Sequence, residues 1–572
     1  MMGSYPHLTI QSKGRRTHLL RPQRGYRLGS GLGQISYRDR HNPTDKGENG
    51  MALTMASTLE LLHEHDQLRE VIRGDRWTLD SPEDIQPSRP FTDVTYDTRQ
   101  AGPGSLLFCK GHFLPEYLDS CGPEGPAAYV AQQDLSAHTK APGIIVNDVR
   151  KSMSLLASAF YGRPQDRLTL VGITGTKGKT TTAYFLQAML SRLSGGRAAL
   201  LSSVDNCLDG RHYQESQLTT PESLDLFRMM RHAVDAGMRY MVMEVSSQAY
   251  KVDRVYGLTF DLGAFLNISP DHISPIEHPS FEDYFYCKRR ITYNSRQLVL
   301  GADTRGADLI RQDARAAGVP VTTFGDGTRQ ADFLVRKAPG EGDDYLIGPS
   351  DGALRPVSLS MDGDFNALNA AAALAMLTRL GLEPDSGAIQ AMGNVRIAGR
   401  MERFKADNRV VYVDYAHNKA SVTALLNFVD ERYGERKPLI TLVSGSAGGK
   451  AIDRREGIVS AAQDRVDRLI LTADDEDGES SDQVDQQMLG FVTNPNLDVS
   501  IEPDRAQAIK QAVGDPGRPG DRLRVTLVIG KGEERWIKKD GSHVPYEGDD
   551  HVVARLLGTK SYNLGATGTA QG

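Results

Sequence analysis

The sequence predicts an α/β protein of three domains, and three observations lead there. Its 572 residues are too many for one hydrophobic core. Two long stretches alternate short, apolar, β-branched runs with helical patterns. One of those runs ends in a glycine turn that opens a helix, Gly172-Ile-Thr-Gly-Thr-Lys-Gly-Lys-Thr180. The boundaries read from these patterns are 51–162, 163–395 and 396–558, with an extension at 1–50 and a tail at 559–572.

The extension is rich in Arg, Gly, Ser and Gln, holds no lasting apolar period and lacks the core of a secretory signal. It is expected to be disordered, or an over-long start, since Met51 and Met55 lie just before the first folded-looking segment. The first domain carries strand candidates at 91–96, 105–109, 127–130 and 143–146, then a helix at 152–160, and reads as a small α/β unit. In the second, strand candidates at 168–174, 198–202, 240–245, 262–268 and 297–301 alternate with helical stretches, which predicts a largely parallel, P-loop-ATPase-like sheet. Strand candidates at 410–415, 439–444, 469–472, 499–502 and 525–529 predict a third, Rossmann-like doubly wound domain. Gly and Asp follow several of its strand ends, where such sheets bind ligands. The last dozen residues, rich in Gly, Thr and Ala, read as a flexible tail.

Composition excludes several function classes. A net charge of −6 argues against a general nucleic-acid or anionic-membrane binder, so no nucleic-acid or membrane partner is expected. Cys109, Cys121, Cys207 and Cys287 are scattered without metal-site spacing and read as reduced cytoplasmic thiols. No apolar run reaches transmembrane length.

The glycine turn carries the first chemistry. Strand, glycine turn, Lys-Thr and helix present backbone N–H groups and a helix N-terminus to a phosphate chain. Lys179 would face the outer phosphates, and the Thr180 hydroxyl can ligate Mg²⁺. The spacing is G-x-x-G-K-T, because Ile173 stands where the standard phosphate loop has its first glycine.

Other residues are ambiguous alone. Glu244 ends a strand beside the loop, suited either to Mg²⁺ or to solvent. His272, in Asn267-Ile-Ser-Pro-Asp-His272, is either a ligand or a structural hydrogen-bonding residue. In Phe281-Glu-Asp-Tyr-Phe-Tyr-Cys-Lys-Arg-Arg290, periodicity puts the aromatics in the core and Lys288 on the surface. Asn366 and Asn369 share a helix face and could bind a base, but capping of the helix start is the better reading of the pattern. Arg400 follows a linker and could reach a phosphate in the neighbouring domain, and Asp414 ends a strand where it could accept ribose hydroxyls.

Taken in order, Gly175-Thr-Lys-Gly-Lys-Thr-Thr181, Thr219-Thr-Pro-Glu222, Met243-Glu-Val-Ser-Ser247, Asn267 to His272, Gly399-Arg-Met-Glu402 and Asp414-Tyr-Ala-His417 resemble the Mur ligases. These are ATP-dependent amide-forming enzymes of peptidoglycan synthesis, and the resemblance covers about residues 58–557. The long runs beginning at Glu244 and Pro275 are similar to the third-residue-adding members that attach L-lysine.

The resemblance implies roles residue by residue. Thr174, Gly175, Thr176, Lys177, Gly178, Lys179 and Thr180 would hold ATP, with Asn369, Arg400 and Asp414 contacting it from elsewhere. Thr180, Glu244, His272 and Lys288 would bind Mg²⁺, Lys288 as a CO₂-derived carbamate, since an ordinary ammonium repels the ion. Lys179, Glu244, His272 and Lys288 form the expected catalytic set. Thr98, Thr219, Thr220, Ser246 and Arg254 would bind UDP-N-acetylmuramoyl-L-Ala-D-Glu, with Thr98 at the uridine site of a UDP-binding first domain. Asp474, Asp475, Asp477, Gly530 and Glu534 would hold the incoming amino acid.

Asp477 stands where diaminopimelate-adding members carry an arginine, which disfavours that acceptor and implies L-lysine or a similar diamino acid. Ornithine stays open, because one methylene discriminates by only about 1–3 kcal/mol. Glu533 replaces a histidine common elsewhere in the family. The implied reaction activates the D-glutamate carboxylate as an acyl phosphate, which the amine of the acceptor then displaces. A monomer whose third domain closes on the second is expected. The rivals are a folylpolyglutamate-synthetase-like ligase and a non-catalytic nucleotide-binding protein.

Overall fold

The structure, a computed structural model, describes residues 53–559 apart from 81–87, 122–124, 275–276, 340–343, 450–451 and 515–520. The expectations for 1–50, for Met51 and for the tail beyond Thr559 lie outside the described residues, as do Pro275 and Ile276.

Three large sheets follow one another along the chain. The first has six strands in the order Arg76–Thr78, Leu68–Arg73, Gly143–Val146, Ala128–Ala131, Ser105–Phe108 and Asp93–Thr95, the last four mutually parallel. The helix expected at 152–160 runs Val149–Phe160, because the Asp148 carboxylate caps it by accepting from the Arg150 and Lys151 N–H groups. Its charged first turn hides the start from a reading based on apolar period.

The central sheet has eleven strands. Its middle runs Ala198–Leu201, Tyr240–Glu244, Thr169–Thr174, Leu262–Phe265 and Leu298–Gly301, all parallel. From Thr169–Thr174 the chain passes to one side, and it later crosses to the other, so the carboxyl end of that strand is a topological switch point where ligands bind. Strands Asp205–Cys207 and Tyr213–Glu215 extend one edge, and Val321–Gly325, Phe333–Lys337, Asp344–Pro349 and Arg355–Ser358 extend the other. The sequence reading picked out none of these six. Most are partly exposed and polar, so they lack the continuous apolar run that marks a buried parallel strand.

The last sheet runs Glu402–Ala406, Arg409–Asp414, Arg524–Ile529, Leu439–Ser444, Arg468–Leu471 and Asp498–Ile501 and is parallel except at its first strand. A hairpin, Trp536–Lys539 with Ser542–Pro545, follows it.

One apolar core joins a face of the first sheet to a face of the central sheet, through residues such as Leu156, Leu170, Phe227 and Phe260. The opposite face of the central sheet buries the helices Lys179–Ser194 and Asp364–Arg379. Ala370, Ala371, Ala372 and Ala373 of the second helix are wholly buried, and their small side chains let it lie close to both its neighbours. The last sheet has its own core on each face.

Beneath the last sheet's ligand edge sits a fully buried ion pair. Arg505 forks onto Asp549 at 2.7 Å on both oxygens and donates to the carbonyls of Ala473 (3.2 Å) and Ile529 (2.7 Å). It therefore ties together the ends of two strands. Arg505→Ala strands Asp549 without its counter-ion and is expected to destabilise the protein by about 3–5 kcal/mol. Arg505→Met should cost less than Arg505→Ala because it refills the volume. Denaturant unfolding of the two variants checks both the size and the order.

Candidate active site

Strand Thr169–Thr174 delivers the glycine loop, and helix Lys179–Ser194 begins immediately after it. Gly178 is the N-cap with φ +83°, and a Cβ there would stand 2.2 Å from Asn369 Oδ1. Only glycine meets both demands. The helix N-terminus opens on a cavity of about 810 Å³, room for a nucleotide. It is lined by residues 176–181, Glu244, His272, Asn369, Arg400, Asp414, Tyr415, Arg454 and residues 533–536.

Asn267 clamps the loop. Its Oδ1 accepts from Lys177 N–H and its Nδ2 donates to Lys177 carbonyl, both at 2.9 Å. Thr176 Oγ1 donates to the Ser269 carbonyl (3.2 Å), accepts from Ser269 N–H (3.0 Å) and meets Tyr284 Oη at 3.1 Å. Thr174 donates to the Val245 carbonyl and, with Gly175, lies beneath the cavity wall. Of the loop residues assigned to ATP, 176–180 line the cavity, while Thr174 and Gly175 support them.

Lys179 and Lys288 converge on one atom. Both ammonium groups donate to the Gly175 carbonyl, at 3.0 and 2.9 Å. Lys288 is 2 % exposed, not on the surface as its helical period suggests. Its helix, Phe281–Arg289, is pinned by His278, which joins Asp283 (2.6 Å) to Ser247 (2.9 Å). Burial, with Lys179 alongside, pushes the Lys288 amine well below its ordinary value. Glu244 accepts from Ser203 N–H at 2.8 Å, and the Ser203 hydroxyl meets that of Thr180 at 3.0 Å. Carboxylate and hydroxyls thus form an oxygen set suited to Mg²⁺. His272 reaches the cavity from a left-handed backbone, φ +57°, a strain that clusters at functional positions.

The capping reading of the asparagines is overturned. Gly363 is the N-cap of helix Asp364–Arg379 and makes no side-chain cap. Asn366 and Asn369 are 1 % and 8 % exposed and bonded to one another at 3.2 Å. Asn369 stands against Gly178 of the phosphate loop, while Asn366 Nδ2 donates to the Asp362 carbonyl at 2.8 Å. Both are buried because the helix is wedged into the core, which local pattern does not reveal.

Across the cavity, Asp271 makes a contact the sequence reading missed. Its Oδ1 accepts from Arg454 Nε and Nη2 (3.0 and 2.7 Å), and its Oδ2 accepts from Asn418 Nδ2 at 3.1 Å. Both partners belong to the last sheet's helices, while Lys177 of the phosphate loop lies 3.5 Å away. Burial alone would raise the Asp271 carboxyl, yet Lys177, His417 and Arg454 hold it well below the usual range. His417 donates Nδ1–H to the Tyr415 carbonyl (2.6 Å), which leaves Nε2 to accept from Lys177 at 3.0 Å. Burial, with Lys177 and Arg454 nearby, lowers His417 to about 3, so its ring is neutral. Asp414 receives the Met401 and Ala416 N–H groups, each at 2.8 Å, and so fastens the linker as well as lining the cavity.

The remaining assigned residues fall in three places. Thr219 lines the cavity, and Thr220 bonds the Glu244 carbonyl and Ser246 just behind it. Arg254 pairs with Glu222 at 2.9 Å, a carboxylate that also holds Arg150 (3.1 Å) and Lys110 (3.3 Å) from the first sheet's side. Thr98 sits in the short turn Thr98–Gln100 of that first layer, bonded to Ser120, and does not line the cavity. Asp474, Asp475, Asp477 and Gly530 cluster behind Glu534, the member of that group on the cavity wall. Asp475 pairs with Lys531 at 2.8 Å and Asp477 with Lys538 at 2.7 Å, while Lys531 also contacts Glu534. Asp477 is therefore already matched to a cation of the chain itself. Burial raises Glu534 to about 7.

The family model described as Mur ligase middle domain matches residues 173–377, and that of the Mur ligase glutamate ligase domain matches 399–532. A UDP-N-acetylmuramyl-tripeptide synthetase of Bifidobacterium longum is 57 % identical over 516 residues, covering 89 % of this chain and all of the relative. A UDP-N-acetylmuramoyl-L-alanyl-D-glutamate–L-lysine ligase of Enterococcus faecalis is 37 % identical over 517 residues, again covering 89 % of this chain and all of the relative. A solved UDP-N-acetylmuramoyl-L-alanyl-D-glutamate–2,6-diaminopimelate ligase shares the fold, with a TM-score of 0.58 at 20 % identity over 88 % of this chain and 99 % of that one.

Asp271→Asn removes the charge that Arg454 and Lys177 share and is expected to loosen the last sheet from the phosphate loop. Breaking such a buried pair costs about 3–5 kcal/mol. Small-angle scattering should show a larger radius of gyration with unchanged circular dichroism. An unchanged radius would show that Asp271 is not what holds the two together.

Proposed function

The chain belongs to the Mur ligase family, and on that premise we propose that it adds L-lysine to UDP-N-acetylmuramoyl-L-Ala-D-Glu, with an acyl phosphate as intermediate. It is an ATP-dependent ligase. The observation that carries the reading is one cavity lined both by the phosphate loop and by residues 533–536, which follow strand Arg524–Ile529 of the last sheet. Such a cavity suits a reaction that must bring a phosphorylated carboxyl to an amine without letting water in.

ATP would lie along residues 176–180, its outer phosphates against Lys179, with Asn369 and Arg400 beside them. Lys179 shares the Gly175 carbonyl with Lys288, so it is held in place before the nucleotide arrives. The UDP-linked dipeptide would approach from Thr219, Thr220, Ser246 and Arg254, and its uridine end would rest near Thr98 in a first domain of 51–162. Within domains of 163–395 and 396–558, the D-glutamate carboxylate would attack the γ-phosphate and the acceptor amine would then displace phosphate.

Thr180 and Glu244, joined through Ser203, and His272 would hold Mg²⁺, whose charge would offset that of the phosphates. Lys288 supports a carbamate because its amine is buried and driven toward the neutral form, the form that attacks CO₂. The neutral amine forms a C–N bond to CO₂ and loses one proton, so that an anionic carbamate replaces a neutral amine. The Lys288 side chain would then offer oxygen ligands beside Lys179, whose charge disfavours a second ammonium there.

Two outcomes are expected. Phosphate release should require both the UDP-linked dipeptide and a diamino acid. L-lysine should be preferred to ornithine by about tenfold, as one methylene allows. It should be preferred to diaminopimelate by about 100-fold or more, since an extra carboxylate among Asp474, Asp475 and Glu534 would be repelled. Efficient use of diaminopimelate would overturn the choice of acceptor. Separately, Lys288→Ala should lower kcat by about 100-fold or more. Depleting CO₂ should slow the wild type reversibly and leave the variant unaffected. A ¹³CO₂ NMR signal for a carbamate carbon, present in the wild type and absent in the variant, is the direct check.

A further inference from the structure

Three arginines line the cavity, and two of them each fork two nitrogens onto one carboxylate. Arg454 gives Nε and Nη2 to Asp271, and Arg535 gives both terminal nitrogens to Asp550. Arg400 differs. Its Nη1 donates to Glu533 Oε2 at 2.9 Å and to the Gly399 carbonyl at 3.2 Å, and its plane lies 4.3 Å over the Tyr415 ring. Nε and Nη2 make no hydrogen bond among the described residues, so a guanidinium with spare donors stands on the wall shared with the phosphate loop.

Glu533 has the opposite problem. Its side chain is 12 % exposed and Arg400 is its only salt-bridge partner among the described residues. Of the other cations in its loop, Lys531 is committed to Asp475 and Glu534, and Arg535 to Asp550. The backbone contact is tight as well. Gly399, with φ +64°, lies so close to the 532–533 backbone that a Cβ would come within 2.4 Å of Glu533 N. Linker and loop therefore hold the Arg400–Glu533 pair at a fixed separation.

A phosphate chain on residues 176–180 outcompetes one carboxylate for a guanidinium, because it carries more charge and accepts two parallel N–H bonds. If Arg400 turns to it, Glu533 is left as a buried anion without a counter-ion, an unfavourable state that the next available cation relieves. We propose that Arg400 and Glu533 exchange partners during the reaction cycle: Arg400 passes to the ATP phosphates, and Glu533 passes to an ammonium group of the incoming amino acid. The exchange makes nucleotide binding create the amino-acid site. It rests on the reading above, in which the acceptor is a cationic amino acid and the nucleotide lies on residues 176–180. Glu533 is then a substrate-binding residue and Arg400 the lever that exposes it.

Calorimetric titration of L-lysine into the full chain, with and without a saturating non-hydrolysable ATP analogue and Mg²⁺, tests the exchange. The wild type should bind lysine about fivefold or more tightly when the analogue is present, and by linkage lysine should tighten the analogue equally. In Glu533→Gln the ratio should fall to near one, with the melting temperature kept, and Glu533→Asp should retain part of it. A partial loss of folding would lower both affinities alike and leave the ratio as it was, which is why the ratio is the quantity read. The inference is overturned if Glu533→Gln keeps the wild-type ratio, or if the wild type shows none and instead takes up a proton on binding the analogue. Either result alongside intact lysine-dependent phosphate release defeats the exchange alone. Failure of the wild type to release phosphate with any diamino acid defeats the underlying reading too.

Discussion

The cavity depends on holding like charges close together away from bulk water. Lys177, Lys179, Lys288, Arg400 and Arg454 all lie around one phosphate loop. Burial of several ammonium groups is unfavourable unless each has an acceptor, and here the acceptors are few and shared. The Gly175 carbonyl serves two lysines, Asp271 serves Lys177 and Arg454, and Glu533 serves Arg400. These groups stand in for the oxygens of a polyanionic substrate. Substrate phosphates can take the place of such acceptors because the positive charges are already gathered around the loop.

The same shared acceptors tie the sheets together. Asp271 belongs to the central sheet and takes its strongest bonds from Asn418 and Arg454 of the last. Glu222 belongs to the central sheet and collects Lys110 and Arg150 from the first. Each junction is one carboxylate in one element and two or more cations or donors in another. Geometry of this kind is specific but moderate in strength, since desolvation offsets much of the attraction. It suits parts that must meet in one orientation and still separate for product release.

What the sequence revealed is what is local. Gly172 to Thr180 was legible because strand, turn and helix follow within nine residues and the glycines are demanded by the backbone. Of the five strands expected around the loop, three begin at their observed start and two begin one residue early, since each is a buried β-branched or apolar run. What depended on distant packing was not legible. Lys288 has a surface-like period yet is buried because the helix that carries it lies under the phosphate loop. Asn369 looks like a cap yet stands against the loop, and Arg454 gives no sign of its partner 183 residues away. The antiparallel edge strands after Gly301 escaped because half-exposed strands carry polar residues at alternate positions.

Selection of the acceptor follows the same logic of unequal charge. Asp477 cannot act as a lone anchor for a cationic side chain, because Lys538 already holds it at 2.7 Å. Asp475 is likewise matched by Lys531, which also leans on Glu534 and lies 4.3 Å from the Trp536 ring. Asp474, Asp475, Asp477 and Glu534 together still outnumber Lys531 and Lys538, so the group keeps a negative excess after its internal pairs are formed. A cationic side-chain end would relieve that excess wherever it settles, and an added carboxylate would deepen it. On the proposed reading, preference for a diamino acid with one carboxylate would be a property of the whole cluster. Replacing one aspartate would shift it by degrees, because the freed lysine would compensate part of the loss.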